Sequence, residues 1–188
     1  MTSEPSRPAP EAPPPAPELR SERLLLTPYV AADEAHFVAL FQDEAVGRWF
    51  GDGMRGAEDD RALFRRLFSI VYAERRFPVW AVRHGGRYAG HAEIKPSPEP
   101  WLDGHEIVYG LSRDSWGLGL GTELALLLTD YGHHTLGLTE VHATVDSQNT
   151  PSVTVLKRLG YTRTREVRED DGGTTLQFTS RAPALELS

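Results

Sequence analysis

From residue 23 onward the apolar residues fall into two rhythms, short runs suited to strands and three- to four-residue spacings suited to helices. Arg23-Leu24-Leu25-Leu26-Thr27-Pro28 is a short apolar run closed by proline, which predicts a strand. Residues 33–41 bring Phe37, Leu40 and Phe41 to one side of a helix. Residues 59–73 repeat the pattern with Leu63, Leu67, Ile70 and Val71 as the buried stripe, after a glycine-bearing stretch at 47–56 that carries Trp49 and Phe50. Two β-rich runs, 77–83 and 88–94, flank His84-Gly85-Gly86-Arg87 and predict a hairpin.

A Pro-rich loop at 96–100 leads to a strand at 106–111, and the pattern then changes to one long helix over 119–136. Leu120, Leu124, Leu127, Leu128 and Tyr131 face inward in that helix, and Gly137 is placed to cap it. Residues 141–145 form a β-branched run. Thr150 reads as an N-cap with Pro151 first in a helix that carries Val153, Val155, Leu156 and Leu159 before Gly160 stops it. Strands at 161–168 and 174–181 flank Asp170-Asp171-Gly172-Gly173, a second hairpin turn. Strand, two helices, three strands, helix, strand, helix, two strands is the expected order.

The first 18 residues, MTSEPSRPAPEAPPPAPE, hold no large apolar residue beyond Met1, so they are expected to form a disordered or polyproline-like tail. A Pro-rich docking peptide is the functional alternative. With 188 residues in all, one folded domain over 19–188 is expected.

Charge and composition narrow the classes. A net charge of -7 argues against nucleic-acid or anionic-membrane binding and mildly favours cationic partners such as a protonated amine. No run is long and apolar enough to span a membrane or to serve as a secretion signal, so a cytoplasmic protein is expected. The absence of cysteine removes disulfides, thiolate metal sites and a cysteine nucleophile together. Of the seven histidines, His133 and His134 fall on a late helical turn without a partner at ligand spacing, and no metal is expected.

Chemistry concentrates between the strand at 106–111 and the long helix. Gly117, Gly119 and Gly121 lie within five residues there. Glycines let backbone approach a ligand, and successive N–H groups at a helix start suit a pyrophosphate, although a tight strand-to-helix turn would also account for them. The Walker pattern fails for want of a nearby lysine. The dinucleotide fingerprint fails because Thr122 stands where its third glycine belongs, and Glu140 precedes its strand instead of ending it.

A third pattern fits. Trp116-Gly117-Leu118-Gly119-Leu120-Gly121-Thr122-Glu123, with Asn149-Thr150-Pro151-Ser152 and Lys157-Arg158-Leu159-Gly160-Tyr161 downstream, closely resembles the GNAT N-acetyltransferase superfamily. The branch it resembles is that of the ribosomal-protein N-terminal acetyltransferases (RimJ/RimL-like) and their small-amine relatives. The resemblance implies an α/β fold of α+β type: a mixed, mostly antiparallel sheet of about seven strands, splayed in the middle, with about four helices on its faces. It implies acetyl-CoA as co-substrate, with backbone from Leu118 to Thr122 holding the pyrophosphate. Backbone near Leu111 would pair with the pantetheine arm, and Asn149 would lie near the thiol end.

Acetyl transfer from a thioester to an amine needs a deprotonated amine, a stabilised oxyanion and a proton for the leaving thiolate. No side-chain nucleophile is required if the amine attacks directly in a ternary complex. The resemblance implies Glu106 as the base, through water, with Glu93 as the alternative; a solvated or salt-bridged glutamate is the plainer reading of either. Many members of the superfamily use a tyrosine as proton donor where this chain has Leu156, so Ser152 takes that role by resemblance, or else serves only as an N-terminal helix residue. His91 alternates with Glu93 on one strand face and lines the acceptor cleft or packs structurally.

The expected activity is N-acetylation of a primary amine, on a protein N-terminus or a small molecule. A non-catalytic acyl-CoA-binding module, motivated by Leu156, and a nucleotide-binding protein are the competing readings. Edge-strand or helix packing would allow a homodimer.

Overall fold

The computed structural model describes residues 16–51 and 53–182. Its strands are β1 (Leu19–Arg20), β2 (Leu24–Thr27), β3 (Val79–His84), β4 (Arg87–Pro96), β5 (His105–Leu111), β6 (Glu140–Asp146), β7 (Thr162–Arg168) and β8 (Thr174–Arg181). The α-helices are α1 (Glu34–Gln42), α2 (Glu44–Gly47), α3 (Ala57–Arg66), α4 (Leu120–Asp130) and α5 (Thr150–Arg158). All eight strands form one sheet in the order β1-β2-β3-β4-β5-β6-β8-β7. The expected α/β architecture is thus present with one more strand and one more helix than anticipated. The extra elements, β1 and α2, are two and four residues long, too short to set up a periodicity.

Neighbouring strands pair antiparallel except β5 and β6, which run parallel and meet at a single register pair, Glu106 opposite His142. Beyond that pair the two strands diverge, which is the splay the resemblance implied. Helices α4 and α5 cover one face through a core of Leu120, Leu124, Leu128 and Leu156 against Trp80, Ile94, Ile107, Val141 and Phe178. Helices α1 and α3 cover the other through Phe37, Phe41 and Phe64 against Val79 and Ala81.

Of the expected tail, residues 1–15 lie outside the described residues. Ala16 is buried and Pro17 accepts a 2.7 Å hydrogen bond from the Trp80 indole, so the packed chain begins ahead of residue 19. Gly85 and Gly86 both have positive φ, as a two-residue hairpin turn between β3 and β4 requires.

Three local expectations are corrected. The helix over 59–73 is α-helical only to Arg66 and continues as a π turn, Leu67–Tyr72, with Ala73 N–H bonding Phe68 O. Leu67 is buried as expected; in the α-helical part Phe64 is buried in place of Leu63, and beyond Leu67 the wider turn shifts the phase so that Tyr72 is buried while Ile70 and Val71 are only partly covered. A second π turn, Tyr131–Thr135, ends the long helix; Leu120, Leu124, Leu128 and Tyr131 are buried as expected, Ala125 and Thr129 join them, and Leu127 is only half-buried. The N-cap of α5 is Asn149, not Thr150: Thr150 is already the first helical residue, and the Asn149 side chain accepts from Ser152 N–H at 3.3 Å.

Candidate active site

Ser112 N–H donates to Ala89 O at 2.8 Å, and Leu111 lies opposite Gly90 in the antiparallel register. Alternation along an antiparallel pair then turns the N–H and C=O of Ile107, Tyr109 and Leu111 away from β4, toward β6. Ile107 flanks the one β5–β6 pair, so Tyr109 and Leu111 present backbone to the gap where the strands part. The Leu111 carbonyl is partly engaged, because the Trp116 indole donates to it at 2.8 Å. That bond folds the intervening turn, Arg113–Ser115, and leaves the Trp116 ring on the surface.

The loop from Trp116 ends in the start of α4. Gly117 and Gly119 hold φ of 74° and 77°, a left-handed backbone that a side chain would strain. Gly119 is the N-cap and offers no side chain, and Glu123 N–H bonds back to Gly119 O. The N–H groups of Leu120, Gly121 and Thr122 therefore have no acceptor within the helix and point toward its open end. Aligned peptide dipoles add positive potential there.

An acidic residue in the first turn would weaken an anion site, and Glu123 occupies that turn. Arg23, just ahead of β2, neutralises it. Its Nε and Nη2 lie 2.8 and 2.7 Å from Glu123 Oε2, while Nη1 donates to Leu118 O at 2.7 Å. Ser21 Oγ and Arg23 N–H bond the other carboxylate oxygen at 2.6 and 2.8 Å. Burial would raise the Glu123 carboxyl, but these donors outweigh it and hold it below its ordinary value. Sequence reasoning missed Arg23, since its partner lies 100 residues away.

On the face covered by α1 and α3, β4 and β5 carry the titratable groups. Glu106 is 3% exposed, and its Oε2 accepts from Thr144 Oγ1 at 2.9 Å and Ser97 Oγ at 3.1 Å. Burial pushes its carboxyl upward against the hydrogen bond from Thr144, the nearby Lys95 charge and the bond from Ser97. Glu93 is treated differently. Burial acts on it too, but the hydrogen bond from His91 and the charge of Lys95 prevail and bring it to about 2. His91 Nε2 and Lys95 Nζ lie 3.1 and 3.2 Å from its two oxygens.

His91 Nδ1 meets Tyr29 Oη at 3.0 Å, and Phe37, Phe41 and Phe50 surround the imidazole. His91 is thus a packed, bonded core group. Phe50 also packs directly against β5: a Cβ at Gly110 would lie 2.6 Å from its Cζ.

Across the gap, α5 is capped by Asn149, whose side-chain carbonyl accepts from Ser152 N–H, while its amide nitrogen makes no hydrogen bond among the described residues. Ser152, half-buried in the first turn, stands beside the Tyr109 hydroxyl, and Leu156, one turn on, is fully buried. His133 bonds Leu138 O and Ser180 Oγ, and among the described residues no three acidic or imidazole groups gather as metal ligands. Nor, among them, is any helix long and apolar enough to cross a membrane.

Comparison with known proteins matches residues 23–162 to the acetyltransferase (GNAT) domain family. An uncharacterized N-acetyltransferase, YoaA, of Bacillus subtilis is 24% identical over 81% of this chain and 87% of its own length. The uncharacterized N-acetyltransferase p20 of Bacillus licheniformis is 38% identical over a shorter stretch, 34% of this chain, and the match spans only 36% of p20. Among solved structures, RimL, a ribosomal L7/L12 α-N-protein acetyltransferase in complex with coenzyme A, superposes with a TM-score of 0.73 at 13% identity, covering 88% of this chain and 98% of that one.

Proposed function

The chain belongs to the GNAT acetyltransferase family and is an acyltransferase, and on that premise we propose that it moves acetyl from acetyl-CoA to a primary amine by direct attack in a ternary complex. The observation that carries the reading is the alignment of an open helix start with the gap between β5 and β6. The backbone from Leu118 to Thr122 would hold the pyrophosphate, with the glycine conformations at 117 and 119 keeping side chains out of the way. The amides of Tyr109 and Leu111 would pair with the pantetheine arm, and Asn149 Nδ2 would meet it near the thiol. Trp116 braces the loop through Leu111 O.

Acetyl-CoA supplies the activated acetyl group. Glu106 is the base in this reading, because burial raises its proton affinity and its Oε1 makes no hydrogen bond among the described residues. Glu93 is held ionised by His91 and Lys95, so it shapes the field instead of accepting a proton. Ser152 donates to the leaving thiolate. The acceptor is the α-amine of a protein N-terminus or a small-molecule amine, and a cytoplasmic setting with its acetyl-CoA pool suits this chemistry.

The test is thiol release from acetyl-CoA with a panel of amines and N-terminal peptides, alongside thermal denaturation with coenzyme A. Turnover with at least one acceptor, together with a ligand-dependent rise in Tm, is the expected result. No turnover and no thermal shift across the panel would overturn the reading.

A further inference from the structure

Tyr109 stands on β5 between Ile107 and Leu111, and its ring packs in the core shared with α4 and α5. Its hydroxyl is the buried side-chain polar atom that makes no hydrogen bond among the described residues. Burial of a hydroxyl without a partner lowers stability, so the arrangement calls for an explanation beyond packing. The helix opposite points to one. Ser152 and Leu156 are four residues apart on α5 and share a face, and Leu156 is sealed in the same core as the Tyr109 ring. Ser152 is therefore the hydroxyl at the boundary between that core and the gap.

We propose that Tyr109 is a positioning residue for the leaving group: its hydroxyl, unbonded among the described residues of the free protein, donates to Ser152 Oγ once the donor fills the gap and so turns the Ser152 O–H toward the departing sulfur. The inference rests on the gap being the acetyl-CoA site. Burial, with Tyr161 adding to it and Ser152 opposing, holds the phenol well above its ordinary pKa, so Tyr109 keeps its proton and has it to donate. The step balances without it ionising. The C–N bond forms, the C–S bond breaks with its electron pair on sulfur, and the nitrogen loses a proton through Glu106 to solvent. The thiolate leaves hydrogen-bonded to Ser152 and takes a proton from solvent. A chain of two hydroxyls strengthens the terminal donor, because each polarises the next.

The experiment is a double-mutant cycle of Tyr109→Phe and Ser152→Ala, read by kcat, by KM for acetyl-CoA and by Tm with and without coenzyme A. Tyr109→Phe is expected to lower kcat about tenfold, roughly what one neutral hydrogen bond is worth. KM for acetyl-CoA should stay unchanged, and Tm unchanged or slightly raised, since a hydroxyl without a partner is lost. In the Ser152→Ala background the same change should have no further effect on kcat. Multiplicative losses, an unchanged kcat, or a lowered Tm with kcat intact would each overturn the proposal. If Tyr109→Phe folds poorly, 3-fluorotyrosine at position 109 serves instead; its more acidic hydroxyl should raise kcat only while Ser152 is present, and an equal response without Ser152 would count against the idea. Wild-type turnover and its thermal shift with coenzyme A report separately on the site assignment itself.

Discussion

Arg23 grips Glu123 with Nε and Nη2 at 2.8 and 2.7 Å and, with its remaining nitrogen, holds Leu118 O at 2.7 Å. One side chain thus cancels a negative charge in the first turn of α4 and fixes the loop that precedes it. Both partners are partly solvent-exposed, which limits the pair's worth for stability. Its effect belongs to the electrostatics of the helix start.

Arg23→Ala is accordingly expected to raise KM for acetyl-CoA by about three- to tenfold, the size of a charge effect at a helix terminus, with little change in Tm. Adding Glu123→Gln should recover part of the loss, because the exposed charge is removed along with its neutraliser. Steady-state kinetics on the single and double variants check both statements.

Glu106→Gln should lower kcat about a hundredfold while leaving the fold intact. The burial-raised carboxyl of Glu106 must be ionised to accept a proton, so wild-type kcat/KM should fall as pH drops through a value above the ordinary glutamate range of about 4.3. The sign for stability is opposite. A raised folded-state pKa means that the folded protein binds the proton more tightly, so ionisation of Glu106 costs stability as pH rises through that window. Glu106→Gln should therefore melt no lower than wild type near neutral pH, and a pH–rate profile beside a melting curve tests the pair of expectations.

Glu93 behaves in reverse. Its carboxyl is depressed to about 2, so it contributes stability above about pH 4.3 that is lost as pH falls toward 2. Glu93→Gln would leave His91 and Lys95 facing a neutral amide, at a cost on the order of 3 kcal/mol. Urea unfolding at neutral and acid pH should show the variant much weaker at pH 7 and the difference shrinking on acidification.

Gly119→Ala places a side chain at φ 77°, which costs about 1–2 kcal/mol. In a domain of this size Tm should fall by roughly 2–8 °C. The added Cβ would lie 3.6 Å from Arg23 Nη2, an ordinary contact, so backbone strain is the whole effect on stability. Relaxing that strain would turn N–H groups away from the helix opening, and the coenzyme A-induced rise in Tm should shrink as well.

Much of this architecture was legible in the sequence because it is local. The loop from Trp116 to Glu123, the hairpin glycines at 85 and 86 and the burial of Leu156 follow from spacing within one or two elements. What escaped was either sub-periodic or long-range. The two π turns each add one residue to a helical turn without any composition signal, and the first of them brings Tyr72 inward in place of Ile70 and Val71. Asn149 and Thr150 are both good caps, and only the backbone geometry separates them. The Arg23–Glu123 clasp and the divided fates of Glu93 and Glu106 depend on residues brought together by the sheet. No window of sequence contains both halves.

β5 and β6 share one register pair, while each is joined to its outer neighbour over seven residues. In hydrogen-bonding terms the sheet is two antiparallel blocks meeting at a narrow seam, held together beside it by the core they share under α4 and α5. A ligand bonded to both sides of the seam binds only the assembled state and couples the blocks. Amide exchange should therefore slow with coenzyme A at Tyr109 and Leu111 and also across β6, β8 and β7, far from any contact with it. If coenzyme A occupies the gap as proposed, the donor substrate would stand as the missing rung of the sheet, and the free protein should exchange amides faster across its C-terminal strands than the uninterrupted strand order suggests.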